Sequence, residues 1–122
     1  MILPTAAKWL TAFALAASLS ACRSPRIDVN VENRTGAAIE LLEVDYPTAS
    51  FGADRLPSGA DYRYRFQVRG SGPIKVQYTD PVSRQLRQAS GPELHEQQAG
   101  AIEILLLPAG RTEFHPALTA AP

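Results

Sequence analysis

A chain of 122 residues with 12 basic and 12 acidic side chains carries no net charge, and so lacks the positive field that draws a protein to nucleic acid. Its single cysteine excludes a disulfide within the chain. The length suits one domain stabilised by its own apolar core.

The first residues read as an address. The amino terminus and Lys8 supply positive charge, and an apolar run of eleven residues follows from Trp9 to Leu19, interrupted only by Thr11 and Ser18. As a helix, Trp9 to Ala21 would reach roughly 20 Å, too short for a hydrocarbon core of about 30 Å. The run closes on Leu19-Ser20-Ala21-Cys22: an aliphatic residue, two small residues, then the only cysteine. This resembles the lipobox of a bacterial lipoprotein precursor. Small residues let a peptidase grip the extended backbone, and the cysteine thiolate is the nucleophile that takes the lipid. The resemblance implies cleavage between Ala21 and Cys22, removal of residues 1–21, and a lipid-anchored tether over residues 22–26. In this family an acidic residue after the cysteine often marks retention at the inner membrane. Arg23 stands there, which implies transport to the periplasmic face of the outer membrane.

From Ile27 onward the sequence alternates between strand patterns and turn chemistry. Ile27, Val29 and Val31 alternate with Asp28, Asn30 and Glu32, the period of a half-buried strand. Asn33-Arg34-Thr35-Gly36 is a turn. A second strand is predicted from Ala38 to Tyr46, with its apolar phase shifting between Leu41 and Leu42 as at a bulge. Pro47 to Gly59 is expected to be a loop of thirteen residues, with Phe51 set among small side chains. Tyr62, Tyr64, Phe66 and Val68 then alternate with Arg63, Arg65, Gln67 and Arg69. After Gly70-Ser71-Gly72-Pro73, Ile74, Val76 and Tyr78 alternate with Lys75, Gln77 and Thr79. These two runs are expected to form a hairpin, with Val68 opposite Ile74, Phe66 opposite Val76 and Tyr64 opposite Tyr78, because a one-residue slip would invert every side chain.

Gln85 to Ala89 reads as an edge strand, Ser90 to Gly100 as a polar irregular stretch with a helical turn after Pro92, and Ala101 to Leu107 as a central strand apolar on both faces. A last strand is placed around Thr112 to Phe114, and residues 116–122 are expected to fray. Six or seven short strands at even spacing predict an all-β sandwich over residues 27–115. In size and spacing the domain resembles small immunoglobulin-like β-sandwiches, without their cysteine pair or core tryptophan. It is also similar to small bacterial lipoproteins, which implies no activity.

The residue types that carry chemistry are thinly spread. Glu93, His95 and Glu96 cluster in the polar stretch, but a structural zinc site wants four nitrogen or sulfur ligands. Ser71 lies in a glycine turn rather than on the strand-to-helix elbow of a serine hydrolase. No catalytic residue, metal or cofactor is expected, and the protein is not expected to be an enzyme. Two surface features remain. Arg63, Arg65 and Lys75 face outward from the expected hairpin, either as a solvated face with cross-strand partners or as a docking stripe for something anionic: phospholipid, lipopolysaccharide, cell-wall carboxylates or an acidic protein. Phe51 either tucks over an open end of the sandwich or serves as a contact residue. The expected function is a structural or protein-interaction module of the envelope, lipid-anchored at the membrane surface. The alternative is a periplasmic module that binds a small ligand or peptide in the loops around Phe51.

Overall fold

Period-two alternation, repeated along most of the chain, leaves room for little besides strands. The computed structural model describes residues 24–120 and places eight strands in them. They are β1 (Ile27–Asn33), β2 (Ile39–Tyr46), β3 (Ala49–Leu56), β4 (Asp61–Phe66), β5 (Gly72–Thr79), β6 (Leu86–Leu94), β7 (Gly100–Leu106) and β8 (Thr112–Leu118). Two four-stranded sheets result, ordered β4-β1-β7-β8 (sheet A) and β3-β2-β5-β6 (sheet B). Every neighbouring pair is antiparallel except β1 and β7, which run parallel from Ile27 beside Gly100 to Asn33 beside Leu106. This is the expected all-β sandwich, with more strands than the six or seven foreseen.

The alternating residues meet between the sheets. Ile27, Val29 and Val31 of β1 and Ile102, Ile104 and Leu106 of β7 face Val44, Ile74, Val76 and Tyr78 of sheet B, and all are buried. Each such aliphatic side chain contributes about 1.5–3 kcal/mol when sealed from water. The two lateral sides close differently. Between edge strands β3 and β4 an aromatic stack fills the gap, with Phe51 4.4 Å from Tyr64 and Tyr46 3.9 Å from Phe66, centroid to centroid. Between β6 and β8 the Phe114 ring lies over Gly91, so closely that a Cβ there would fall 2.5 Å from it.

Some expectations hold at the level of single residues. The bulge sits at Leu41, whose φ of 52° breaks the register between Glu40 and Glu43 against β5. Gln85 to Ala89 lies largely on edge strand β6, and Ala101 to Leu107 largely on inner strand β7.

Others are corrected. The expected hairpin is not one: β4 pairs with β1, setting Phe66 beside Ile27 and Tyr64 beside Val29, while β5 pairs with β2 and β6. Residues 67–71 cross between sheets instead, with Val68 buried beneath the crossing. Alternation fixes which side chains point inward, but two facing sheets satisfy it as well as one hairpin does. The expected loop from Pro47 to Gly59 is mostly β3, joined to β2 by a tight turn at Pro47 and Thr48. Its apolar signal is faint because Gly52 must be small, since a Cβ would run into the Leu42 carbonyl oxygen. The stretch after Ser90 continues β6 to Leu94 without a helical turn. The tail expected to fray from Pro116 is strand to Leu118, and the Thr119 amide donates to the Ala99 carbonyl at 2.9 Å. Pro116 is tolerated there because β8 is an edge strand and one missing N–H leaves no ladder bond unmade.

Candidate interaction surface

The crossover decides the fate of the basic stripe. Arg63 and Arg65 project from β4 on the outer face of sheet A, whereas Lys75 projects from β5 on the outer face of sheet B, the opposite side of the sandwich. The three cations form no common surface. Each also stands near an acid. Arg65 Nε donates to Asp28 Oδ1 at 2.6 Å, and this bond raises the guanidinium pKa further above its ordinary value. Arg63 Nε reaches Asp61 Oδ2 at 3.3 Å, and Lys75 lies in register with Asp45 on β2. Of the other charged outward residues most are acidic, Glu32, Glu103 and Glu113 on sheet A and Glu40 and Glu43 on sheet B, with Arg55 beside Glu40. Gln77 Nε2 donates to Glu43 Oε2 at 2.7 Å and Gln88 Nε2 to Gln77 Oε1 at 3.2 Å, a polar ladder across three strands. A shallow open groove of about 610 Å³ crosses sheet A between Asp28, Arg63, Arg65 and Glu103, with Ala101 in its floor.

Phe51 is corrected as a contact residue. It sits on β3 with its side chain inward, 7% exposed, in register with Val44 and stacked on Tyr64. There is no loop around it to hold a ligand. Tyr64, on the other edge strand, is left 40% exposed. Glu93 lies on β6 opposite Pro73, and Glu96 Oε1 accepts the Gly70 amide at 2.7 Å. Among the described residues, no three histidine, cysteine, aspartate or glutamate side chains gather as metal ligands would. Ser71 is exposed in the crossover. Ala21 and Cys22, the expected cleavage and lipidation sites, lie outside the described residues.

The two ends of the sandwich differ, and sequence reasoning missed this. One end holds the start of β1, the Pro47-Thr48 turn, the 67–71 crossover, the 95–99 connection and the end of β8. It is polar, with Arg26 and Arg69 exposed, and buried Gln98 closes it. Gln98 Oε1 accepts the His95 amide and its Nε2 donates to the Thr119 carbonyl, at 2.9 and 3.1 Å. The opposite end is closed by buried Asn33. It carries three of the exposed large apolar residues: Leu41 at 62%, Leu86 at 57% and Val82 at 82%. Leu41 is doubly disfavoured, an exposed leucine in left-handed backbone, and conformations of that kind gather where a surface is used. The phase shift in the sequence located the bulge but not the exposure.

Titration adds local detail. Two backbone amides, those of Val82 and Ser83, point at the Asp80 carboxylate and hold its pKa below the ordinary value. Burial pushes the Tyr78 phenol up, and burial followed by the neighbouring Tyr64 does the same to Tyr46.

No family model matches the chain, and no curated protein does. The NMR structure of a protein from Eubacterium rectale is similar in fold, with a TM-score of 0.56 over 74% of this chain and 86% of that one, at 10% sequence identity. At that identity the likeness is one of architecture alone.

Proposed function

We propose that the chain is a non-enzymatic lipoprotein of the bacterial envelope, held through lipid on Cys22, which presents its sandwich as a structural or protein-interaction module at the membrane surface. The observation that carries this reading is the spacing between lipobox and fold. Inner strand β1 opens at Ile27, five residues after Cys22, and its first side chain is already sealed in the core. A thioether-linked lipid with an acylated amine supplies the two or more chains that stable anchoring takes. Arg23 after the cysteine favours delivery to the periplasmic face of the outer membrane. The exposed Leu41, Val82 and Leu86 favour a protein partner over the anionic envelope polymer for which the split arginine–lysine stripe was a candidate.

The test is expression of the full chain in a bacterial envelope with labelled fatty acid. The parent is expected to take up label, lose residues 1–21 and fractionate with membranes. Cys22→Ser is expected to remain an unprocessed, unlabelled precursor. Normal processing and labelling of that variant would overturn the proposal.

A further inference from the structure

The geometry points to the Arg26–Arg69 end of the sandwich as a docking face for anionic lipid headgroups, so that the domain stands on the membrane with its strands upright. This rests on the anchoring proposed above and adds an orientation to it.

The argument begins with reach. Cys22 to Arg26 is five residues, at most about 17 Å when fully extended. The strands are six to nine residues long, roughly 20–30 Å from end to end. An anchor joined at the start of β1 therefore cannot let the domain stand on its Leu41–Val82 end. It could still let the domain lie on a sheet face. Charge opposes that posture. The outward cations Arg63 and Arg65 of sheet A, and Arg55 and Lys75 of sheet B, each lie beside an acid, so that Glu103 and Glu113 of the one and Glu43 of the other are left in excess and would be pressed against an anionic surface. At the anchored end, Arg26 and Arg69 are exposed and Arg23 precedes them in sequence, while the Glu96 carboxylate, which accepts the Gly70 amide at 2.7 Å, keeps its charge and offsets one of these three cations. Leu41, Val82 and Leu86 all lie toward the other end, so the contact is with headgroups and not an insertion into acyl chains.

Lipidation consumes the only cysteine, so introduced cysteines can be labelled singly. The full lipidated chain is placed in vesicles of phosphatidylglycerol and phosphatidylcholine, or of phosphatidylcholine alone, with a quencher on the headgroups. Fluorophores are attached in turn at Ser71→Cys on the anchored end, Ser83→Cys on the far end, Asn30→Cys in the middle of sheet A and Ser90→Cys on sheet B. The Ser71 label is expected to be quenched most in the anionic vesicles, and the other three little. Arg26→Gln and Arg69→Gln should each lower the ratio of Ser71 to Asn30 quenching about fivefold there and leave it unchanged in neutral vesicles. Raising salt on the unsubstituted protein should lower the same ratio, a check that does not depend on either variant folding. Quenching at Asn30, Ser90 or Ser83 equal to that at Ser71, or a ratio indifferent to salt and lipid charge, would overturn the orientation while leaving anchoring intact. A chain whose mass shows no lipid at Cys22 would overturn the anchoring, and this proposal with it.

Discussion

Asn33 is completely buried at the end of β1, and its amide is fully engaged. Its Nδ2 donates to the carbonyls of Ala37, Leu56 and Pro57 at 2.8, 3.0 and 3.1 Å, and its Oδ1 accepts from the Thr35 amide and hydroxyl. One side chain thus ties the β1–β2 turn to the end of β3. Asn33→Ala is expected to lose about 1–3 kcal/mol in urea unfolding, because the buried bond to the Leu56 carbonyl is lost, while the Ala37 and Pro57 carbonyls keep only the Thr35 hydroxyl and the Ala60 amide. Asn33→Asp should be at least as damaging, since a carboxylate presents no donor to them. A loss below 0.5 kcal/mol, on the scale of ordinary surface substitutions of about ±0.5 kcal/mol, would contradict this role. In sequence Asn33 reads only as a turn residue. The partners that make it a plug lie 23 and 24 residues away, beyond any local pattern. Tyr46 and Tyr78 give a second expectation at this scale. Their folded pKa values are raised above 10.0, so the unfolded chain loses those protons first. Stability should be intact below pH 10 and fall as pH climbs through the folded values. Unfolding followed against pH, with phenolate absorbance recorded in parallel, checks both the onset and its cause.

At the scale of elements, the strands were legible where alternation was strong and illegible where a neighbour demanded smallness. β1, β7 and the inward faces of β4 and β5 follow directly from their residues. β3 does not, because Gly52 and Ala53 face the bulged part of β2, and only Phe51 and Leu56 signal the core. Nor was the neighbour of β4 legible, since its inward tyrosines and phenylalanine suit a facing sheet as well as an adjacent strand. The β6–β8 side offers the sharpest test of the observed packing. Gly91→Ala is expected to destabilise, because its Cβ would meet the Phe114 ring and lie 2.9 Å from the Ile74 side chain. Overpacking of this kind typically costs about 1–3 kcal/mol. In a Phe114→Ala background the same change should cost much less, and a double-mutant cycle in denaturant measures the difference. Additive effects would mean that β6 and β8 do not close against each other there.

Across the described residues, acids outnumber bases on the two broad faces, the end that holds Arg26 and Gln98 is polar, and exposed aliphatic residues collect at the other end. None of this was visible as charge blocks along the chain, because strands adjacent in sequence divide between sheets. The same division has a consequence in time. β1 is the first strand made, but its parallel neighbour β7 is nearly the last, with 66 residues between Asn33 and Gly100. Until β7 arrives, β1 has a partner on one side only and sheet A lacks half its strands. Loop closure over such a separation makes folding slow and late. A chain ending at Ala99 is therefore expected to show no cooperative unfolding transition by circular dichroism, whereas residues 24–120 should show one. Under the anchoring proposed above, which has the chain cross a membrane as an extended thread, this topology would act as a timer: the strand that follows Cys22 most closely cannot lock until translation is almost complete.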